Sequence, residues 1–552
     1  MKIALAQLNY HVGDFTGNLS RITRAVEDAG EKGADLVVFS ELSICGYPPL
    51  DLLERKDFID ACMSHVEMLA TAIDPGIGVL VGGPEPNPDS VGKMLYNSVF
   101  FLFGGQIRQV FRKSLLPTYD IFDEYRYFEA NREFQILEFR GKRLAVTICE
   151  DLWDEQPFEN EYARSRLYTT NPLEELVGLQ AHAVINLAAS PFSHRKMEAK
   201  QSIFTGKAKR YGIPVLYCNQ VGAQTELIFE GGSMAVDAAG YVSARLPFFQ
   251  EDYLVLDLEE LIQSSTDPHP GKIPDRIGSM AGALICGIRD YFGKLEFKTA
   301  TLGLSGGIDS AVTLALATEA LGSLNLHVLL LPSQYSSGHS IDDSVEMARM
   351  LGVKYDILPI EALFNKFRET LNPLFQNLPE DSSEENIQAR IRGTLLMALS
   401  NKFGNILLNT SNKSETAVGY GTLYGDMSGG LSVLGDVYKT DVYLLARYLN
   451  TVQKMIPENI ITKAPSAELR PDQKDTDSLP PYEILDQILE AYIEKQLPVG
   501  KLVEMGFEQN LAKRIIALVN QNEYKRYQTP PILRISSKAF GVGRRLPLVA
   551  KY

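Results

Sequence analysis

The sequence predicts a protein of two α/β domains joined by a short linker. Strand-like apolar runs alternate with helically spaced segments from the first residues onward. The texture changes at Gln263–Pro274, and beyond it a strand leads into a Gly-rich turn and a helix. Alternation of this kind buries a sheet between helical layers.

Taken in order, Lys2–Leu8 is a run suited to a buried strand, Asn18–Ala29 has helical spacing, and Ala34–Phe39 is apolar again. Further strand-like runs are Ser98–Phe103, Arg143–Cys149, His182–Leu187, Pro214–Cys218 and Ser233–Asp237. The stretch QSSTDPHPGKIP, rich in Ser, Pro and Gly, reads as a linker. It divides the chain into domains at 1–262 and 276–552 with a connection at 263–275. The second half opens with an apolar helix, Met280–Phe292, then a strand at Thr299–Leu304, SGGIDS and another helix. Ser382–Glu385 reads as a capping box opening a helix through Ser400, with Ile387, Ile391 and Leu395 on one face. Asn405–Leu408 is a further strand.

The 552 residues carry 54 Lys and Arg against 69 Asp and Glu, a net charge of −15. So acidic a chain is not held on nucleic acid by counterion release. No apolar run is long enough for a membrane span, and Met1–Tyr10 reads as a strand rather than a signal peptide. The five cysteines, Cys45, Cys62, Cys149, Cys218 and Cys286, are widely spaced without a CxxC pair. They form neither a disulfide framework nor a zinc knuckle, which points to a reducing cytoplasm.

Residues 301–310, TLGLSGGIDS, place a Gly-rich turn between a strand and a helix. The unpaired N–H groups of the helix start attract anions, and Gly306 and Gly307 permit close approach of phosphate oxygens. Ser305 and Ser310 add hydroxyls. The loop is neither GxxxxGK[ST] nor GxGxxG. Lacking lysine but carrying Asp309, it suits a pyrophosphate held by amides, hydroxyls and a metal ion, as in cleavage between the α and β phosphates of ATP. A plain turn is the alternative for SGG alone, and the full S-G-G-x-D-S favours the anion site. Asn409–Asp426 follows a strand and is expected in the same crevice. There Thr410, Glu415 and Asp426 offer a hydroxyl and hard oxygen ligands for Mg2+ and nucleotide. Asn386 and Arg390 share a helix face. Glu523–Arg526 reads either as an exposed basic patch or as a clamp on an anionic substrate.

In the first half, Glu41, Lys113 and Cys149 each follow an apolar strand, where loops carry chemistry. Cys149 is a candidate nucleophile, Glu41 a general base that returns a proton to leaving ammonia, and Lys113 a charge for the tetrahedral intermediate. The alternatives are a buried thiol, a cap and a solvated charge. None of the seven histidines lies in these segments, and His182 and His194 stay open as partners.

FSELSICGYPPLDLL, FRKSLLPTYDIFDE and VTICEDLW resemble the Glu-Lys-Cys signatures of the nitrilase superfamily, in the version of glutamine-dependent NAD+ synthetases. SGGIDS resembles the N-type ATP pyrophosphatase loop. With ENIQARIRG, TSNKSETAVGYGTLYGD and KAPSAELRPDQKDTDSLPPYEILD it resembles the synthetase domain of that family. The resemblance covers essentially the whole chain. It implies a nitrilase-like α-β-β-α sandwich followed by a doubly wound, Rossmann-like parallel sheet. Glu41, Lys113 and Cys149 would be the glutaminase triad, and Tyr119, Ser190 and Lys196 would contact glutamine. Gly303, Leu304, Ser305, Gly306, Gly307, Ile308, Asp309 and Ser310 would bind ATP with Thr410. Asp309 and Glu415 would sit near Mg2+, and Asn386, Glu415 and Lys525 would contact deamido-NAD+. Ammonia in bulk water at neutral pH is mostly non-nucleophilic ammonium, so a buried tunnel between the sites is expected, and the resemblance implies a homo-oligomer. The C-terminal TPPILRISSKAFGVGRR departs from the family pattern, which has Gly after the Pro pair and an acidic residue before the paired arginines. A different amidotransferase and a catalytically silent binding module are the competing readings. The KSETAVGYGTLYGD segment argues against the first, and the intact triad and phosphate loop against the second.

Overall fold

The apolar N-terminal run folds as a strand at the heart of a sandwich. In this computed structural model β1 to β5 are Lys2–Gln7, Leu36–Val38, Gly78–Pro86, Leu95–Phe103 and Gln106–Arg112. Strands β6 to β9 are Leu137–Phe139, Lys142–Ile148, Ala183–Ala188 and Val215–Asn219. Strands β10 to β14 are Val221–Gln224, Leu227–Glu230, Met234–Val236, Val242–Arg245 and Asp252–Asp257. They make two six-stranded sheets, ordered β14-β1-β2-β3-β4-β5 and β13-β12-β9-β8-β7-β6, plus the β10–β11 hairpin. The structure describes all residues except 156–166, 265–270, 377, 467, 471–472, 474, 478 and 552. Residues 265–270 of the expected linker thus lie outside the described residues.

Period-two alternation explains the layering. Ile3, Leu5, Leu36 and Val38 pack against Val146, Ile185, Leu187 and Leu216 of the opposite sheet. Their neighbours Ala4, Ala6, Val37 and Phe39 face Ile22, Val26, Cys62 and Val66 of helices Phe15–Glu31 and Lys56–Ala72. Phe204 and Ala208 of helix Met197–Tyr211 cover the outer face of the second sheet, with Phe204 packed on Tyr217 of β9. The result is the expected helix–sheet–sheet–helix sandwich. Its strands do not alternate with helices throughout, as the sequence reading had them: β3, β4 and β5 run on antiparallel. Gly104 and Gly105, at φ +64° and +75°, supply the tight turn between β4 and β5.

The chain divides into units Met1–Ile273 and Pro274–Tyr552. The second unit contains β15 (Ala300–Gly303), β16 (Leu326–Leu330), β17 (Lys354–Ile357), β18 (Ile406–Asn409) and β19 (Leu431–Ser432). All neighbours are parallel in the order β17-β16-β15-β18-β19. The order reverses between β15 and β18, so the loops after these two strands flank the crevice where doubly wound sheets bind ligands.

Two local readings are corrected. The capping box of helix Ser382–Phe403 begins at Asp381, whose side chain accepts from Ser383 while Glu384 accepts from the Asp381 N–H. The box is one residue earlier because the chain is still extended at Asp381 and already helical at Ser382. The Glu523–Arg526 segment is no basic patch. Arg526 is buried, pairs with Glu523 at 2.7 Å and donates to the Ala417 carbonyl at 2.8 Å.

Candidate active sites

The first site forms where β2, β5 and β7 end. Glu41 and Lys113 are fully buried and in direct contact, Nζ to Oε1 2.7 Å. Gly82 permits the tight path of the Glu41 segment: a Cβ there would stand 2.4 Å from the Leu42 nitrogen. Asn97 Nδ2 donates to Glu41 Oε1 at 2.8 Å and the Ala189 N–H to Oε2 at 3.1 Å. These fix the carboxylate plane. Lys113 also donates to both oxygens of Glu124, at 2.9 and 2.7 Å, and Tyr47 Oη donates to Glu124 at 3.0 Å. One ammonium therefore serves two carboxylates.

Cys149 opens a short turn at the end of β7 with φ +40°, a left-handed conformation that costs a non-glycine residue energy. Asn186 donates to its carbonyl at 3.4 Å. Burial pushes its thiol up, Glu41 adds to that, and Lys113 opposes it. For Lys113, burial pulls downward but Glu124 and Glu41 outweigh it, so the ammonium is held well above its usual value. Burial raises Glu124 to about 7 against the pull of Lys113.

Tyr119 Oη donates to Glu150 at 3.0 Å, as Tyr168 does at 2.9 Å. Burial raises the Glu150 carboxyl, and the charges of Lys113 and Lys196 counter it. Lys196 thus reaches the environment of Glu150, beside Cys149. Ser190 follows the Ala189 amide that holds Glu41, and its own N–H donates to Asn219 at 2.9 Å. Asp151 accepts from the N–H groups of Ser114 and Leu115 with one oxygen and Ile148 with the other, at 3.0, 2.9 and 3.0 Å. It binds the Lys113 loop to the Cys149 turn. Glu124, Glu150 and Asp151 escaped the sequence reading. The signal for two of them was in plain view, since consecutive acids in ICEDL beside an apolar strand are costly to bury without partners.

The second site is a cavity of about 290 Å³ at the ends of β15 and β18. Gly303 through Ser310 line it together with Thr410, Asp426, Glu415, Lys439 and Asp475. Gly306 has φ +77°, and a Cβ there would lie 2.4 Å from the Ser340 carbonyl oxygen. Ser305 and Ser310 hydroxyls meet at 3.2 Å, and Ser310 also donates to the Gly307 carbonyl at 2.9 Å. Among the described residues no side chain caps helix Ile308–Leu321, which leaves its first N–H groups open to an anion.

Asp309 accepts from Asn412 at 2.9 Å and from Lys439, which also pairs with Glu415 at 3.3 Å. Burial, with Asp309 nearby, raises Glu415 to about 8. Among the described residues no cluster of three or more acidic, His or Cys groups could hold a metal unaided. Two carboxylates facing a phosphate cavity nevertheless suit Mg2+, which typically takes one or two carboxylates and completes its shell with phosphates and water. Lys439 was missed. A lysine at the first position of helix Lys439–Val452 opposes the helix dipole, and that mismatch is its sequence signal.

Asn386 and Lys525 do not line the cavity with Glu415. They meet at the loop beyond it: Asn386 accepts from Thr422 Oγ1 at 2.7 Å, and Lys525 donates to the Gly419 and Gly421 carbonyls at 2.8 and 2.9 Å. Arg390 donates to the Leu423 carbonyl at 3.2 Å.

The carbon-nitrogen hydrolase family matches residues 2–266 and the NAD synthase family residues 281–529. A glutamine-dependent NAD(+) synthetase of Synechocystis is 44% identical, covering 100% of this chain and 99% of that protein. This chain belongs to the glutamine-dependent NAD+ synthetases. A Thermotoga maritima synthetase is 40% identical over 100% of this chain and 99% of its own length. The Acinetobacter baumannii synthetase structure in complex with adenosine diphosphate is 38% identical, with a TM-score of 0.78 over 99% of this chain and 98% of that one. As a synthetase of this family, the chain carries both parts of its chemistry, one in each unit.

Proposed function

We propose that the chain hydrolyses glutamine at Cys149 and uses the ammonia to amidate deamido-NAD+, consuming ATP and releasing AMP and pyrophosphate. The reading is carried by one conjunction: a buried Glu41–Lys113 pair beside Cys149, and a lysine-free phosphate loop in the same chain.

Because burial and Glu41 keep Cys149 a thiol, the sulfur loses its proton as it attacks the amide carbon. Glu41 takes that proton and passes it to the departing ammonia. Lys113 stabilises the oxyanion, and water then hydrolyses the thioester. Tyr119, Ser190 and Lys196 orient glutamine. Glu150 suits its α-ammonium and Lys196 its α-carboxylate.

In the synthetase cavity the nicotinate carboxylate of deamido-NAD+ attacks the α-phosphorus of ATP and pyrophosphate leaves. Ammonia then attacks the acyl carbon and AMP departs. Gly303–Ser310 and Thr410 hold ATP, while Asn386, Glu415 and Lys525 position deamido-NAD+. Asp309 and Glu415 would hold Mg2+, which neutralises phosphate charge when bound.

Copies of the chain associate through the nitrilase-type unit, which sedimentation would test. The cysteines are all free thiols, in keeping with a reducing cytoplasm.

Cys149→Ala tests the division of labour. It abolishes glutamine-driven NAD+ formation and leaves ammonium-driven formation near wild type. Loss of both in a folded variant refutes it.

A further inference from the structure

We propose that Arg392 is a nucleotide-binding residue of the synthetase cavity, its guanidinium held ready for an anionic oxygen of the ATP phosphate chain; this rests on the ATP reading above. Ala389, Arg392, Gly393 and Leu396 line the cavity from helix Ser382–Phe403, an i, i+3, i+4, i+7 stripe on one face. That stripe lies against the strand feeding the phosphate loop: a Cβ on Gly303 would meet Leu396 Cδ1 at 3.3 Å. Arg392 Nε donates to the Leu331 carbonyl, just past β16, at 3.0 Å, which anchors the planar head at the cavity wall.

Charge accounting singles it out. Among the described residues three cationic side chains line the cavity: Arg392, Lys439 and Lys463. Lys439 is shared by Asp309 and Glu415, and Lys463 pairs with Glu468 at 3.5 Å. Among the described residues Arg392 pairs with no carboxylate; Glu468 and Asp426 only attract it from farther off. Partial burial brings its pKa down to about 10, so it stays charged at neutral pH. A half-buried cation with no carboxylate partner is a ready acceptor site for an anion, and a guanidinium fork suits phosphate oxygens in bidentate fashion. The missing anion arrives with the nucleotide.

The test uses the full chain, with calorimetric binding of ATP, inorganic pyrophosphate and adenosine to wild type, Arg392→Gln and Arg392→Lys. Arg392→Gln should weaken ATP by about tenfold or more, with Arg392→Lys intermediate and adenosine unchanged. The ATP KM in ammonium-driven synthesis should rise in the same order, more than kcat falls. A matching loss for pyrophosphate supports contact with the leaving group, and an ATP-only loss supports contact with the α-phosphate. Equal weakening of adenosine, or unchanged ATP affinity in both variants, overturns the proposal. If wild type itself fails to bind ATP, the ATP reading falls first, and the assignment of Arg392 with it.

Discussion

Lys113 sits between two carboxylates, and the second, Glu124, decides how much of its charge reaches the Cys149 site. With both ionised, the ammonium is held by Glu41 at 2.7 Å and by Glu124 at 2.7 Å. Glu124→Gln removes one negative charge and one of the two acceptor oxygens, which loosens the hold on the amine. Glutamine hydrolysis should fall about 10²–10³-fold, the range found on removing one preorganised electrostatic group, while ammonium-driven synthesis persists. Glu124 is raised to about 7, so protonation below that value mimics the substitution. Glutaminase activity should therefore decline as pH drops through about 7, and the Glu124→Gln profile should lack that limb. For stability the sign is separate. The folded state keeps the Glu124 proton to a higher pH than the unfolded chain does. Its contribution is thus complete below the unfolded value and lost as pH rises through about 7. A wild-type-like acid limb in the variant would dismiss Glu124 as the titrating group. Glu41, Lys113 and Cys149 stood out in the sequence because each follows a strand-like run, and the structure brings Glu41 and Lys113 into contact. Glu124 did not stand out, because it opens a short 3-10 turn, Glu124–Arg126, in the connection after β5, and its partnership with Lys113 exists only once that connection folds back.

At the scale of elements, the proposed phosphate loop is a backbone device. Gly306 adopts φ +77° with the Ser340 carbonyl 2.4 Å from where a Cβ would stand. Gly306→Ala must displace either the loop or the neighbouring helix start. Synthetase activity should drop at least about tenfold, the scale of an ångström-sized misplacement, with glutamine hydrolysis retained; an ATP KM equal to wild type would contradict this. Helix Ser382–Phe403 carries Asn386, Arg390 and Arg392, so its start is also consequential. Asp381→Ala should cost about 1 kcal/mol, measurable as a lowered unfolding midpoint. The helix itself was readable from Ile387, Ile391 and Leu395, but its first residue was not. Asp381 and Ser382 both satisfy the capping rule, and only the backbone decides between them. Short strands such as β19, two residues long, carry too few side chains for any periodicity. They exist because a longer neighbour templates them.

Across the whole molecule, the C-terminal segment is the least legible and the most revealing. The structure packs it deeply. Leu533 and Ile535 are fully buried, and the Leu533 N–H donates to the Ser432 carbonyl at 3.3 Å beside the edge of the sheet. Asp436 accepts from the N–H groups of Ile535 and Ser536 at 2.8 and 2.7 Å. Lys413, completely buried, pairs with Asp436 at 2.8 Å and Glu494 at 3.0 Å and donates to Ser536 Oγ at 2.8 Å. The tail thus completes a charged core beneath the short helix that carries Glu415. Sequence patterning is silent here because such a network joins residues more than a hundred positions apart. Removing the lysine should therefore be worse than its surroundings suggest. Lys413→Met leaves two buried carboxylates unpaired and should destabilise the synthetase unit by about 3–5 kcal/mol, as for other broken buried ion pairs. Scanning calorimetry identifies that unit as the transition that ATP raises. It should fall in the variant, and Asp436→Asn on the Lys413→Met background should recover part of the loss by removing one orphaned charge. An unshifted ATP-sensitive transition would mean that the network adds nothing to stability and that the tail is held by its apolar residues alone.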